Sequence, residues 1–125
     1  MFSHIMIGAN DIEASRTFYD ATLGALGARP AGAGDRLMYM HGGGLFLVTK
    51  PINGEPACHA NGGTIGFAAS SPEQADAWHA AGIANGGTPI EDDPGVRDGG
   101  FGKLYLAYLR DPAGNKLCAM HRIAA

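Results

Sequence analysis

Residues 4–19, HIMIGANDIEASRTFY, and residues 64–79, TIGFAASSPEQADAWH, carry the same order of features. Each begins with a short β-branched or apolar run, passes through a polar pair and continues as a helical stretch. An aromatic falls at the same place in both. Ile5 matches Ile65, Ile7 matches Phe67, Glu13 matches Glu73 and Phe18 matches Trp78. Two units of this kind, neither able to close a core alone, are expected to pair their sheets around a shared concave cleft.

The helix boundaries are marked by residue chemistry. Ser71 reads as an N-cap, Pro72 as the first helical residue and Gln74 as the closing member of a capping box. Asp11 caps the earlier helix in the same role. Helices are therefore expected near 11–24 and 71–85, ended by Gly24 or Gly27 and by Gly82 or Gly86. The two halves also finish alike: HGGGLFLVTK (41–50) and DPAGNKLCAM (111–120) are each a turn followed by a strand. Strand-like runs precede both, RLMYM (36–40) and KLYLAYL (103–109), and shorter strands are expected near Ala28 and Thr88 to Ile90.

The expected architecture is α+β: two βαβββ modules forming a cupped, mostly antiparallel sheet with the helices outside. Phe18 and Trp78 should each anchor a helix on its own sheet. At 125 residues, 46% of them hydrophobic and 17% charged, the chain reads as one globular domain over 1–125. Module one spans about 1–52, a linker 53–62 and module two about 63–125.

Charge and composition narrow the partners. A net charge of -3 without any basic run argues against nucleic acid, and no apolar stretch is long enough for a membrane span. No basic segment followed by an apolar run opens the chain, so no secretory leader is expected. With Cys58 and Cys118 as the only cysteines, a reducing cytoplasm is the expected location. The glycines at 42–44 lack both the Gly-x-Gly-x-x-Gly spacing and a following helix, so they form no phosphate loop.

The opening SHIMIGANDIEASRTFYDATLG and the ending YLRDPAGNKLCAM resemble the vicinal-oxygen-chelate superfamily. That group contains lactoylglutathione lyase (glyoxalase), bleomycin- and fosfomycin-resistance proteins and extradiol dioxygenases. The opening is similar to the family's His-x-x-x-x-x-x-Asp start and the ending to its Asp-Pro-x-Gly-Asn-x-x-Glu. The resemblance implies a cup that holds a small organic molecule, a homodimer and, in the enzymes, a divalent metal acting as a Lewis acid. It implies a lyase or isomerase of the lactoylglutathione-lyase kind, or alternatively a metal-free protein that sequesters its ligand as bleomycin-resistance proteins do.

Carried over by position, the resemblance places the cup ligands at His4, Leu47, Thr64 and Cys118. A catalytic divalent metal needs three or more His, Asp, Glu or Cys side chains. This set offers one imidazole, one thiol, one hydroxyl and one hydrocarbon, so no metal cofactor is expected, and any that bound would use His4 and Cys118. Three roles are open to Cys118: a small apolar filler, a two-ligand stub with His4 completed by His59 or His121, or a thiol activated by His4. Filler ranks first, because free cysteines are commonly this, the stub second, and the nucleophile last, because no orienting third group is evident. Strand alternation turns His121 away from Cys118.

His4 itself is either a core histidine or a cup residue. His41, before a glycine turn, and His79, on a helix, are expected at the surface. Arg97, in the glycine-rich stretch DDPGVRDGGFGK (92–103), completes the candidate cup residues as a possible clamp for a carboxylate or phosphate. The competing reading of that stretch is a solvated connection.

Overall fold

The computed structural model describes residues 1–32, 34–100 and 102–124. Module one runs β1 (Ile5–Gly8), α1 (Ile12–Ala25), β2 (Arg29–Pro30), β3 (Leu37–His41) and β4 (Gly44–Thr49). The second repeats it as β5 (Ile65–Ala68), α2 (Pro72–Ala84), β6 (Thr88–Pro89), β7 (Gly95–Asp98), β8 (Lys103–Arg110) and β9 (Lys116–Arg122). One sheet has the order β1-β4-β3-β2 and the other β5-β9-β8-β6, with β7 also on β8. Only β1–β4 and β5–β9 are parallel pairs; the other pairs among the described residues are antiparallel. The expected α+β class and doubled strand-helix order are therefore what the chain forms.

The difference from the expected pattern lies in residues 92–103. What reads as one glycine-rich connection contains β7, paired with β8 from Gly95↔Leu106 to Asp98↔Lys103. The strand after α2 is thus broken in two, with β6 and β7 both on β8. Phe101, in the same stretch, lies outside the described residues.

Both helices start and stop by the same devices. Asp11 Oδ1 accepts the N–H of Ala14 at 3.0 Å, and Ser71 Oγ accepts that of Gln74 at 3.1 Å. Gln74 Oε1 reaches one residue beyond the usual capping-box partner, to the N–H of Ser70 at 2.6 Å. Of the glycines that could end the helices, Gly27 (φ 92°) and Gly86 (φ 96°) do so, in left-handed conformations that other residues resist. Ala28 N–H returns to Leu23 O at 2.9 Å, and Gly87 N–H to Gly82 O at 2.8 Å.

One core lies between the sheets and the helices, centred on Phe18, Tyr19, Trp78, Leu109 and Leu117, all fully buried. Phe18 and Trp78 do hold matching, solvent-free positions. Phe18 nevertheless does more than fix its own helix to its own sheet, because its ring edge crosses into module two. A Cβ on Gly87 would fall 2.5 Å from Phe18 Cε1, and one on Gly82 3.2 Å from it. The ring can enter only because both positions lack side chains.

Alternation along the strands sorts each sheet into two faces. Ile5, Ile7, Phe46, Val48, Leu117 and Ala119 turn toward the core. Met6, Leu47, Gly66, Cys118 and Met120 turn the other way, onto the outer faces. No helix among the described residues is long and apolar enough to cross a membrane.

Candidate functional site

Cys118 sits in the middle of the outer face of the second sheet. Its neighbours across the strands are Gly66 on β5 and Tyr108 on β8. Gly66 makes room for the thiol; a Cβ there would stand 3.2 Å from Sγ. The residue is only 8% exposed. Burial raises the thiol pKa above its ordinary value, Lys116 opposes the rise and Glu91 adds to it. A thiol pushed in this direction is less readily a thiolate, which disfavours a nucleophile.

Around Cys118 lies a cluster that residue spacing did not reveal. Tyr108 has the Lys116 ammonium 5.2 Å from its ring centroid and the Arg97 guanidinium 6.0 Å from it. Lys116 is ion-paired with Glu91. Burial pushes the Tyr108 phenol up, Cys118 and Glu91 push it further, and the two cations oppose. Cross-strand pairing in the antiparallel β8–β9 ladder would have been the signal, since it sets Tyr108 opposite Cys118 and Arg110 opposite Lys116.

Arg97 does not project as a free anion clamp. Its guanidinium donates to the main-chain oxygens of Asp93, Gly95 and Leu106 through one nitrogen, and of Asp92 through the other. Those bonds hold residues 92–95 against β8.

On module one, Leu47 is buried on β4 directly opposite Met6. His4 precedes β1, is exposed and pairs through Nδ1 with Ser3 Oγ at 2.8 Å. Thr64, in the matching position before β5, is exposed as well. Cys118, Gly66 and Thr64 thus share one neighbourhood, and Leu47 and His4 another. Among the described residues, no hydrogen bond, ion pair or ring contact joins the two sets.

Neither other candidate histidine completes a site at Cys118. His121 has Nδ1 3.1 Å from Ala69 O, on the opposite side of β9. His59 packs against the 111–115 turn, with Nδ1 3.2 Å from where a Cβ on Gly114 would lie. His79, expected at the surface, is half-buried; that burial lowers its pKa, against a main-chain hydrogen bond at Tyr108 that raises it. His41 is exposed as expected.

A divalent metal requires donors that these positions do not supply: Leu47 has none, and Thr64 offers only a neutral hydroxyl. Among the described residues, no three His, Cys, Asp or Glu side chains stand together as a metal group. The donor set does not fit the cofactor of the family's enzymes.

A large cavity lies elsewhere, on the core-facing side of the sheets. It measures about 610 Å3 and has Leu23, Leu26, Tyr39, Phe46, Ile65 and Phe67 in its wall. None of His4, Leu47, Thr64, Arg97 or Cys118 lines it.

Comparison with known proteins matches residues 1–119 to the family model of the Glyoxalase/Bleomycin resistance protein/Dioxygenase superfamily. Among solved structures, a glyoxalase/bleomycin resistance protein from Albidiferax ferrireducens T118 is 63% identical, with 98% of this chain and 99% of that one covered and a TM-score of 0.94. A lactoylglutathione lyase from Agrobacterium tumefaciens is 25% identical, covering 96% and 92%, with a TM-score of 0.64. A glyoxalase/bleomycin resistance protein/dioxygenase family enzyme from Burkholderia phytofirmans PsJN shares the fold at 19% identity, covering 97% and 98%, with a TM-score of 0.72. The comparison with curated proteins gave no match.

Proposed function

We propose, on the premise that this chain belongs to the glyoxalase/bleomycin resistance protein/dioxygenase superfamily, that it binds a small organic molecule on its outer sheet faces without a catalytic divalent metal. The observation that carries this reading is the chemistry around Cys118. A buried thiol beside the bare Gly66, with Leu47 at the equivalent place in the first module, forms apolar wall where metal chemistry needs several His, Asp, Glu or Cys donors. Lys116, Glu91 and Tyr108 add a polar edge that can orient a ligand.

The outer faces also favour a homodimer. Met6 is 50% exposed, Met40 56% and Met120 36%, a methionine-rich apolar surface that the chain itself leaves open. A second copy laid over them would bring the His4 and Leu47 face of one protomer against the Cys118 face of its partner and close the cup. The two cysteines are unpaired, which supports a cytoplasmic setting.

The second reading is a lyase, and the likeness to the Agrobacterium protein favours it. The two separate by metal analysis of untagged protein, together with NMR of 13C-methyl methionine during a fragment screen. Ligand-induced shifts at Met6 and Met120 in metal-free protein are expected. Stoichiometric zinc, nickel, iron or manganese, lost in His4→Ala, would overturn the proposal.

A further inference from the structure

The cavity on the core-facing side has a composition that specifies its occupant more closely than the outer faces do. Its wall is aromatic and aliphatic, with Phe46 and Phe67 meeting edge to face at 5.2 Å between centroids. His41, which is exposed, is the one basic side chain in its wall, and no Lys, Arg, Asp or Glu is present. A cation would find no counter-ion there and an anion only the exposed imidazole, so the wall favours an uncharged occupant. The volume of about 610 Å3 falls within the range of small-molecule sites.

One end of the cavity is polar in a directed way. Gln74 Oε1 accepts from Ser70 N–H at 2.6 Å and from Ser70 Oγ at 3.0 Å. A main-chain N–H can only donate, which fixes the amide oxygen on Ser70 and leaves the Gln74 amino group as the donor with no partner among the described residues. β5 adds a second row. Ala69 N–H bonds to Met120 O in the β5–β9 ladder, so the odd-numbered residues of β5 face β9. The main-chain groups of Gly66 and Ala68 therefore point to the free edge, and both residues line the cavity.

We infer that this cavity is a second ligand site, separate from the outer faces, for a neutral aromatic carbonyl compound. Its ring lies among Phe46, Phe67 and Tyr39, and its carbonyl oxygen accepts from Gln74 and the β5 edge.

The test uses prodan, a neutral naphthyl ketone whose emission moves to the blue in apolar surroundings, titrated into the full chain. Saturable, blue-shifted binding is expected. Ala28→Phe, which fills the cavity from a half-buried lining position, should abolish it. Gln74→Glu keeps an oxygen for Ser70 and suits its place in the first helical turn, yet replaces the donor with an anion; it should weaken prodan roughly tenfold without lowering thermal stability. Ile52→Arg, at a fully exposed position after β4 that does not line the cavity, should leave the affinity within about twofold. Absence of saturable binding, binding retained in Ala28→Phe, an unchanged affinity in Gln74→Glu, or a loss in Ile52→Arg would each overturn the inference. Prodan held on the outer faces instead would survive Ala28→Phe, so failure of this inference and failure of the outer-face proposal are read separately.

Discussion

Tyr19 Oη donates a 2.5 Å hydrogen bond to Asp111 Oδ2, joining α1 of the first module to the turn before β9 across 92 residues of sequence. The Asp111 carboxylate is buried and fully occupied. It also accepts from the main-chain N–H of Ala113 and Asn115 and from the Asn115 side-chain amide. That amide donates to Gly8 O at the end of β1 as well. The Asp-Pro-x-Gly-Asn turn thus clasps module one at a helix and at a strand, and its Asp and Asn are structural side chains.

Removing the carboxylate should therefore cost more than an ordinary turn mutation. Asp111→Ala leaves the Tyr19 hydroxyl and the Asn115 amide unsatisfied in the interior. A loss of about 2–4 kcal/mol is expected from urea unfolding, against about 1–2 kcal/mol for Tyr19→Phe. Equal costs for the two variants would show that the turn does not depend on the carboxylate.

The same bond makes stability sensitive to alkali. Burial, reinforced by Asp111, raises the Tyr19 pKa well above its ordinary value; burial and Asp20 raise that of Tyr39. A group whose folded pKa exceeds its unfolded pKa contributes stability in full below the unfolded value, about 10, and loses it as pH rises beyond. Unfolding free energy should consequently fall above roughly pH 10, and less steeply in Tyr19→Phe. A pH-independent difference between wild type and Tyr19→Phe would refute the linkage.

The doubled order of elements was legible because local chemistry sets it: Asp11 and Ser71 cap, and Gly27 and Gly86 terminate. That Cys118 and His121 lie on opposite faces of β9 followed from strand alternation. Three features were not legible. Arg97 spends its donors on carbonyls of its own turn, Asp92, Asp93 and Gly95, and on Leu106 O, which the β7–β8 pairing brings near. Phe18 crosses to Gly82 and Gly87 because two bare positions happen to face it. The cavity is assembled from the end of α1, the start of α2 and strands of both modules, and no single stretch carries its signature.

Two helix glycines should respond oppositely to alanine. At Gly24 a Cβ would meet no atom within 4 Å, so Gly24→Ala should gain about 0.5 kcal/mol from helix propensity and reduced unfolded-state entropy. At Gly82 the Cβ would lie 2.2 Å from Leu109 Cδ1, 3.2 Å from Phe18 and 3.3 Å from Thr22. Those three side chains are buried, so overpacking of about 1–3 kcal/mol should outweigh the same propensity gain. Thermal melts of both variants decide it; a stabilised Gly82→Ala would mean that the α1–α2 contact is looser than its geometry implies.

Cys118 is placed to be quiet, and thiol chemistry can read this directly. Cys58 is exposed and Cys118 buried, so reaction with a disulfide reagent at pH 8 should show one fast and one slow thiol, the slow phase vanishing in Cys118→Ala. Because burial raises its pKa, the slow phase should still accelerate with pH above the roughly 8.5 of a free cysteine. Cys118→Ala should cost on the order of 1 kcal/mol, the scale of a small cavity. Cys118→Ser should cost at least as much, because a hydroxyl buried there needs a partner that the thiol did not. If instead the slow thiol titrates below that value, or Cys118→Ser damages ligand binding while stability is untouched, the residue is a reactive or ligating group and the apolar-wall reading fails.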